Sequence, residues 1–141
     1  MSAANLRTGK AEYFEKGKCN IRKAIKASAT VPCISVSVNI NGTPYLDGGC
    51  VEKIPYRKAK EEGHEKIVVI RTRDREYRRK QEKNTFSDGL KKIEYLRYPE
   101  FLKAMGEVNA GYNRCIDELT ADEKAGKIFM LAPHEKVEIS P

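Results

Sequence analysis

An alternating run followed by a two-residue turn is the feature that most limits how this chain can fold. In residues 34–40, Ile-Ser-Val-Ser-Val-Asn-Ile, every second side chain is apolar, which predicts a strand with one buried face. Asn41 and Gly42 then supply residues that tolerate positive φ in a tight hairpin turn. The following residues are predicted to return antiparallel, with Pro44 at the start of the strand or on an edge. Asp47 therefore stands where the second arm of the hairpin ends.

A second unit follows the hairpin and indicates an α/β domain. Pro55 suits the first turn of a helix that runs to about Glu62, and Gly63 is a natural left-handed stop for it. Residues 66–71, Lys-Ile-Val-Val-Ile-Arg, have the length and continuous apolar character of a strand buried on both faces of a parallel sheet. A short helix, a glycine and a buried strand in this order predict helices layered on a sheet.

The remaining elements are predicted by weaker patterns. In the first part of the chain these elements are a short hairpin or strand ending around Thr8 and Gly9 and a helix over 20–28 capped by Asn20 or Cys19. In the last part they are helices over roughly 86–97 and 99–118 with a break at Gly106 or Gly111, a strand over 128–131 and the start of another at 137–139.

Length and composition fit one globular domain. The chain has 141 residues, of which 40% are hydrophobic and 33% charged, as expected of a folded rather than a disordered protein. No apolar stretch approaches the roughly 18 residues needed to cross a bilayer, and the first residues lack the layout of a secretion signal. A cytoplasmic location is the default expectation.

The cysteines argue against a metal site. Cys19, Cys33, Cys50 and Cys115 form no Cys-x-x-Cys pair, and the sequence has two histidines to join them. Reduced thiols packed as small apolar groups are the expectation.

The net charge of +7 points to an anionic partner. Its densest stretch, residues 71–80, is diluted by Asp74 and Glu76 and has Tyr77 as its one aromatic residue. Single-strand binders interleave basic and stacking residues, so we expect no nucleic-acid binding. An anionic membrane surface remains a candidate partner.

The most suggestive motif is Asp47-Gly48-Gly49. Two glycines let the backbone fold tightly beside the carboxylate and let a ligand approach closely. A carboxylate placed there serves as a general base, a metal ligand or a simple turn cap, and Asp-Gly is also among the commonest turn dipeptides. The motif by itself leaves these alternatives open.

The order of motifs around Asp47 resembles the C-terminal part of the bacterial patatin-like phospholipases. Ala27-Ser28-Ala29-Thr30-Val31-Pro32 precedes the alternating strand, Tyr45-Leu46-Asp47-Gly48-Gly49 follows it, and Ile54-Pro55 opens the next helix. The similarity covers most of residues 1–135 and is tightest over 24–80. The motifs are specific in combination, although none of them is specific alone.

This resemblance implies a three-layer α/β fold, with a mainly parallel sheet, a hairpin and flanking helices. It also implies hydrolysis of lipid acyl esters by a Ser-Asp dyad that needs no cofactor. Asp47 would be the catalytic carboxylate, and the site would be shaped by Gly48, Gly49, Ser28 and Pro32.

The chain departs from the family pattern in one large respect. It contains no Gly-x-Ser-x-Gly and no Gly-Gly-x-Arg-Gly, which carry the family's nucleophile and oxyanion hole. We therefore expect residues 1–141 to be the C-terminal portion of a single patatin-like domain, inactive by itself and prone to self-association through its truncated sheet. The alternative is a non-catalytic scaffold that binds an anionic lipid surface or a partner protein.

Overall fold

The structure, a computed structural model, describes residues 1–80 and 93–134 and has a mixed α/β fold. Its elements in chain order are β1 (Ser2–Asn5), β2 (Ala11–Tyr13), α1 (Ile21–Ser28), β3 (Val38–Ile40), β4 (Thr43–Asp47), α2 (Tyr56–Glu61), β5 (Ile67–Ile70), α3 (Pro99–Lys124) and β6 (Ile128–Leu131). The chain forms two compact units, one from residues 1–53 and 81–109 and the other from 54–80 and 110–141. The α/β class predicted from the sequence is confirmed.

The first unit contains a four-stranded antiparallel sheet with the strand order β2-β1-β4-β3. The predicted hairpin joins β3 to β4: Asn41 and Gly42 have φ values of 50° and 84°, as its tight turn requires. The predicted helix near residue 20 is also confirmed as α1. Its cap is Asn20, whose side-chain oxygen accepts a hydrogen bond from the Lys23 N–H at 3.2 Å.

Both faces of this antiparallel sheet are buried. On one face, Ala3, Val38, Ile40 and Tyr45 pack with Ala27 of α1. On the other face the core residues are Ala4, Leu6, Leu46, Tyr95 and Phe101. Neighbouring residues of β1 and of β4 thus enter opposite cores, as the two-residue period of a strand requires.

The second unit is built on two parallel strands, β5 and β6, with Ile67 opposite Ile128 and Ile70 opposite Leu131. Helix α2 begins directly after Pro55, and Gly63, with φ 74°, follows it as predicted. The core of this unit consists of Tyr56, Tyr112, Cys115, Ile116, Leu119, Ile128 and Met130, with Ile67 and Val69 packed against it.

Two strand predictions need correction. The alternating run was expected to be a strand from residue 34, but the strand begins at Val38, and the side chains of Ile34 and Val36 are each 81% exposed. The hairpin register accounts for part of the difference. It pairs Val38 with Tyr45, so residues 34 and 35 would lie beyond the end of β4, whereas the exposure of Val36 does not follow from the register.

The run at 66–71 does form a strand, but it is buried on one face instead of two. The side chains of Val68 and Ile70 are 58% and 75% exposed. A mainly parallel sheet is also wrong for the described residues, where β5–β6 is the single parallel pair. The short connections from β1 to β2 and from β3 to β4 allow antiparallel pairing only, because a parallel connection needs a long crossover.

The second half of the chain contains one long helix where the sequence predicted a break. Helix α3 runs from Pro99 to Lys124 through both Gly106 and Gly111. A glycine inside a helix costs about 1 kcal/mol relative to alanine, and burial of Phe101, Ile116 and Leu119 outweighs that cost. Strand β6 is confirmed, whereas the predictions for 86–92 and 137–139 lie outside the described residues.

Candidate functional site

Asp47 is the last residue of β4 and is half-buried. It lies opposite Ala3 of β1, and its N–H donates a hydrogen bond to the Thr30 carbonyl oxygen at 2.9 Å. The backbone at Asp47 is therefore fixed from two sides, by a neighbouring strand and by the loop after α1.

The carboxylate itself is oriented by the glycine turn. Residues Gly48–Cys50 form a single 3-10 turn, and Asp47 Oδ1 accepts a hydrogen bond from the Gly49 N–H at 2.8 Å. Oδ2 accepts no hydrogen bond from any described residue. One carboxylate oxygen is thus held by the backbone, while the other keeps its lone pairs available.

Gly48 is required by close packing. A Cβ atom at this position would lie 2.5 Å from Ser2 Oγ and 3.0 Å from the Ser2 carbonyl carbon. At Gly49 a Cβ atom would lie 3.3 Å from Asp47 Oδ1. The two glycines therefore let the turn pass close to β1 and close to the carboxylate.

Ser28 and Pro32 lie on either side of Thr30, and Thr30 is the residue that contacts Asp47. Thr30 is buried, and its hydroxyl donates a hydrogen bond to the Lys26 carbonyl oxygen at 2.5 Å. In the described structure, neither Ser28 nor Pro32 hydrogen-bonds to the carboxylate. Their place in the fold is consistent with shaping the backbone that holds Asp47.

Cys50 is a neighbour of the carboxylate that the sequence analysis did not single out. Burial raises the pKa of its thiol to about 12, and the negative charge of Asp47 adds to the shift. The thiol therefore stays protonated and uncharged at neutral pH. Cys50 is the last residue of the turn that Asp47 caps, so its place three residues after Asp47 indicates that the thiol lies near the carboxylate.

The described part of the chain does not offer a metal site. In residues 1–80 and 93–134, no three histidine, cysteine or acidic side chains cluster closely enough to hold an ion. Within the same residues, no helix combines the length and apolar character needed to span a membrane.

The arrangement of the Asp47 carboxylate is one that a general base and a ligand-binding group can both use. A carboxylate with one oxygen anchored and one free can accept a proton from a hydroxyl placed about 2.6–3.2 Å away. No serine of the described residues hydrogen-bonds to Asp47. Any hydroxyl that transfers a proton to this carboxylate would therefore belong to a ligand or to residues beyond those described.

Comparison with known proteins shows a similarity to part of a curated protein. No family model matches the chain. A segment of 61 residues, 43% of the chain, is 41% identical to the uncharacterized protein YjjU of Escherichia coli (strain K12). That segment covers 17% of YjjU, so the chain spans less than two thirds of the length of this relative.

Proposed function

We propose that this chain supplies the aspartate of a Ser-Asp dyad in a patatin-like lipid acyl hydrolase with a three-layer α/β fold. The observation that carries the proposal is the state of the Asp47 carboxylate. Its Oδ1 is bound by the Gly49 N–H, and its Oδ2 accepts no hydrogen bond within the described residues. A general base in a dyad needs this combination of a fixed orientation and an available lone pair.

In the proposed reaction, a serine from outside this sequence attacks the acyl carbonyl carbon of a lipid ester. Its hydroxyl proton moves to Asp47 Oδ2 as the new C–O bond forms. The ester C–O bond then breaks, and Asp47 returns the proton to the departing alcohol oxygen. Water, deprotonated by the same carboxylate, releases the fatty acid and regenerates the serine. The proposed chemistry uses side chains alone and needs no cofactor.

The dyad places a strict demand on geometry because no histidine stands between the two groups. An error of about 1 Å in the position of a catalytic group can cost about 100-fold in rate. The hydrogen bonds from Gly49 to the carboxylate and from Asp47 to Thr30 supply this precision. The packing of Gly48 on Ser2 fixes the turn against β1.

The test is ester hydrolysis by the intact protein that carries both the serine and these residues. Asp47→Asn keeps the shape of the side chain and removes its basicity, so we expect kcat/KM to fall by about 10²- to 10⁴-fold. A matched control is Asp117→Asn, which removes a carboxylate from the exposed surface of α3. Unchanged hydrolysis in Asp47→Asn would contradict the proposal.

A non-catalytic scaffold that binds an anionic lipid surface or a partner protein is the second candidate. It is favoured by the exposed side chains of Val68 and Ile70, which lead directly into the basic stretch that starts at Arg71. An intact protein without esterase activity, with or without the Asp47 substitution, would favour this candidate. Both candidates are compatible with a cytoplasmic location, which remains a proposal.

A further inference from the structure

The arginines between residues 71 and 80 fall into two groups according to their contacts within the second unit. Arg75 Nη2 donates to Glu123 Oε1 at 3.0 Å, and Arg78 Nη2 donates to Asp117 Oδ1 at 2.9 Å. The others contact tyrosine side chains, and these are Arg71, Arg73 and Arg79. Among the residues that the structure describes, none of these three has a carboxylate within ion-pair distance.

Tyr112 of α3 connects two of the arginines in this second group, Arg71 and Arg79. Arg71 Nη2 donates a hydrogen bond to Tyr112 Oη at 3.4 Å, and the Arg79 guanidinium carbon lies 5.1 Å from the centre of the Tyr112 ring. That second distance is typical of a cation held over an aromatic face. Among the described residues no group accepts a hydrogen bond from this hydroxyl, so its hydrogen can be offered to an anion.

The two guanidinium groups are poorly compensated by the protein. Arg71 is 6% exposed, and its other hydrogen bond, from Nη1 to the Arg75 carbonyl oxygen, is long at 3.3 Å. Nε of Arg71 and Nε of Arg79 are both buried, and neither has a partner among the described residues. Burial of a positive charge without an anion is costly, which makes an anionic ligand the natural complement.

The position of the cluster in the fold also suits a ligand. Arg71 directly follows β5, and its N–H donates to the Leu131 carbonyl oxygen at 2.8 Å, so the cluster begins at the carboxyl end of two parallel strands. In α/β sheets, ligands bind beyond this end of the strands. Arg79 is anchored there by Asn113, whose side chain bonds both its N–H, at 2.8 Å, and its carbonyl oxygen, at 2.9 Å.

We propose that Arg71, Tyr112 and Arg79 form a binding site for a phosphate group. Arg79 presents its planar fork of N–H donors, Tyr112 offers a hydroxyl, and Arg71 supplies a buried positive charge behind it. Two guanidinium groups match a phosphate dianion better than a single carboxylate. The site does not depend on Asp47 or on ester hydrolysis, so either proposal can fail without the other.

The first experiment is calorimetric titration of the chain with inorganic phosphate at constant ionic strength, with acetate and chloride as comparison anions. We expect saturable binding of phosphate and weaker or undetectable binding of the other two. Equal effects of phosphate and chloride would overturn the proposal, because nonspecific charge screening does not distinguish the two anions.

The decisive comparison is between two substitutions that remove the same charge from neighbouring residues. Arg79→Gln should weaken phosphate binding by about 10-fold or more, as expected for the loss of charged hydrogen bonds. Arg78→Gln should leave the affinity within about twofold of the original. Asn113 bonds the backbone of residue 79 and not its side chain, so Arg79→Gln keeps the loop in place, and circular dichroism checks this. Equal losses in both variants would overturn the site.

Binding to vesicles of phosphatidylcholine, with and without phosphatidic acid, shows whether the phosphate belongs to a lipid headgroup or to a soluble compound. If the ligand is a lipid headgroup, binding requires phosphatidic acid, decreases in Arg79→Gln and is displaced by inorganic phosphate. If the ligand is a soluble phosphate compound, titration succeeds and the vesicles do not bind. Either result supports a phosphate site, whereas vesicle binding that Arg79→Gln leaves unchanged contradicts it.

Discussion

The two sheets of this protein are covered to very different extents. The antiparallel sheet of the first unit has an apolar core on each face, one formed with Ala27 of α1 and the other with Tyr95 and Phe101. The parallel pair β5–β6 is packed on one face only. On its other face Val68, Ile70, Phe129 and Leu131 are between 46% and 75% exposed.

The polar groups show the same contrast. In the first unit, the side chains around β1 satisfy one another: Asn5 donates to Glu12 at 2.6 Å, and Tyr45 and Tyr13 donate to Glu12 and Glu52. In the second unit, Arg71 and Arg79 each keep a buried Nε that has no partner among the described residues. Both units expose apolar side chains, Ile34 and Val36 in the first and Val68 and Ile70 in the second. Among the described residues, however, the buried side-chain nitrogens without a hydrogen-bond partner belong to the second unit.

The largest effect on stability is expected at Gly48 in the first unit. Alanine there would bring a Cβ atom to 2.5 Å from Ser2 Oγ and 3.0 Å from Ser2 Cβ. Overpacking of this kind costs about 1–3 kcal/mol, so Gly48→Ala should lower the free energy of unfolding in urea by that amount. Adding Ser2→Ala removes the closest contact and should restore part of the loss.

Gly106 provides the matched control for this substitution. Nothing lies within 4 Å of a Cβ atom built there, and the residue is inside α3. Gly106→Ala should therefore stabilise the chain by about 0.5–1 kcal/mol. If Gly48→Ala were also neutral or stabilising, the close packing of the glycine turn on β1 would be refuted.

The next effect concerns Asp122 in the second unit, whose carboxylate accepts hydrogen bonds from neighbouring side chains. Asp122 Oδ2 accepts from Lys60 Nζ at 2.8 Å and from Tyr56 Oη at 2.6 Å. These two hydrogen bonds, that from Lys60 first, lower the pKa of the carboxyl to about 2. Since this folded pKa lies below the ordinary value, the stabilisation is present above about pH 4 and is lost as the pH falls towards 2.

Thermal melts of wild type and Asp122→Asn across this pH range check the prediction. At pH 7 the variant should melt at a lower temperature, and the two curves should converge between pH 4 and 2 as the wild-type carboxyl becomes protonated. Asp117→Asn on the same helix removes an exposed ion pair with Arg78 and should change little. A difference that stayed constant down to pH 2 would rule out the charged cluster as its origin.

The elements that sequence reasoning predicted correctly depend on local contacts. The turn at Asn41-Gly42, the Asn20 cap of α1 and the Gly63 stop after α2 each involve residues a few positions apart. The errors arose where residues far apart in the sequence determine the extent or the burial of an element. The start of β3 depends on where β4 ends, and the exposed face of β5 depends on what packs against the sheet.

The candidate site follows the same rule. The hydrogen bond from the Gly49 N–H to Asp47 is local, and a turn cap of this kind was one of the alternatives that the motif left open. The roles of Thr30 and Cys50 were not predicted, because the first acts through a backbone carbonyl and the second through proximity. Tyr112 lies 33 positions after Arg79 on a different element, so the sequence of the basic stretch alone could not show that it joins two arginines.

The smallest expected effect concerns the exposed face of β5–β6, which we expect to hold two copies of this chain together. Ile70, at 75% exposed, is its most exposed side chain. A patch of four side chains is small for a stable interface, so the association should be weak and should increase with protein concentration in light scattering. Ile70→Lys should shift the population towards the monomer, because a charge would be buried in the contact. A monomer at every concentration would show that the open face of the second unit does not pair with itself.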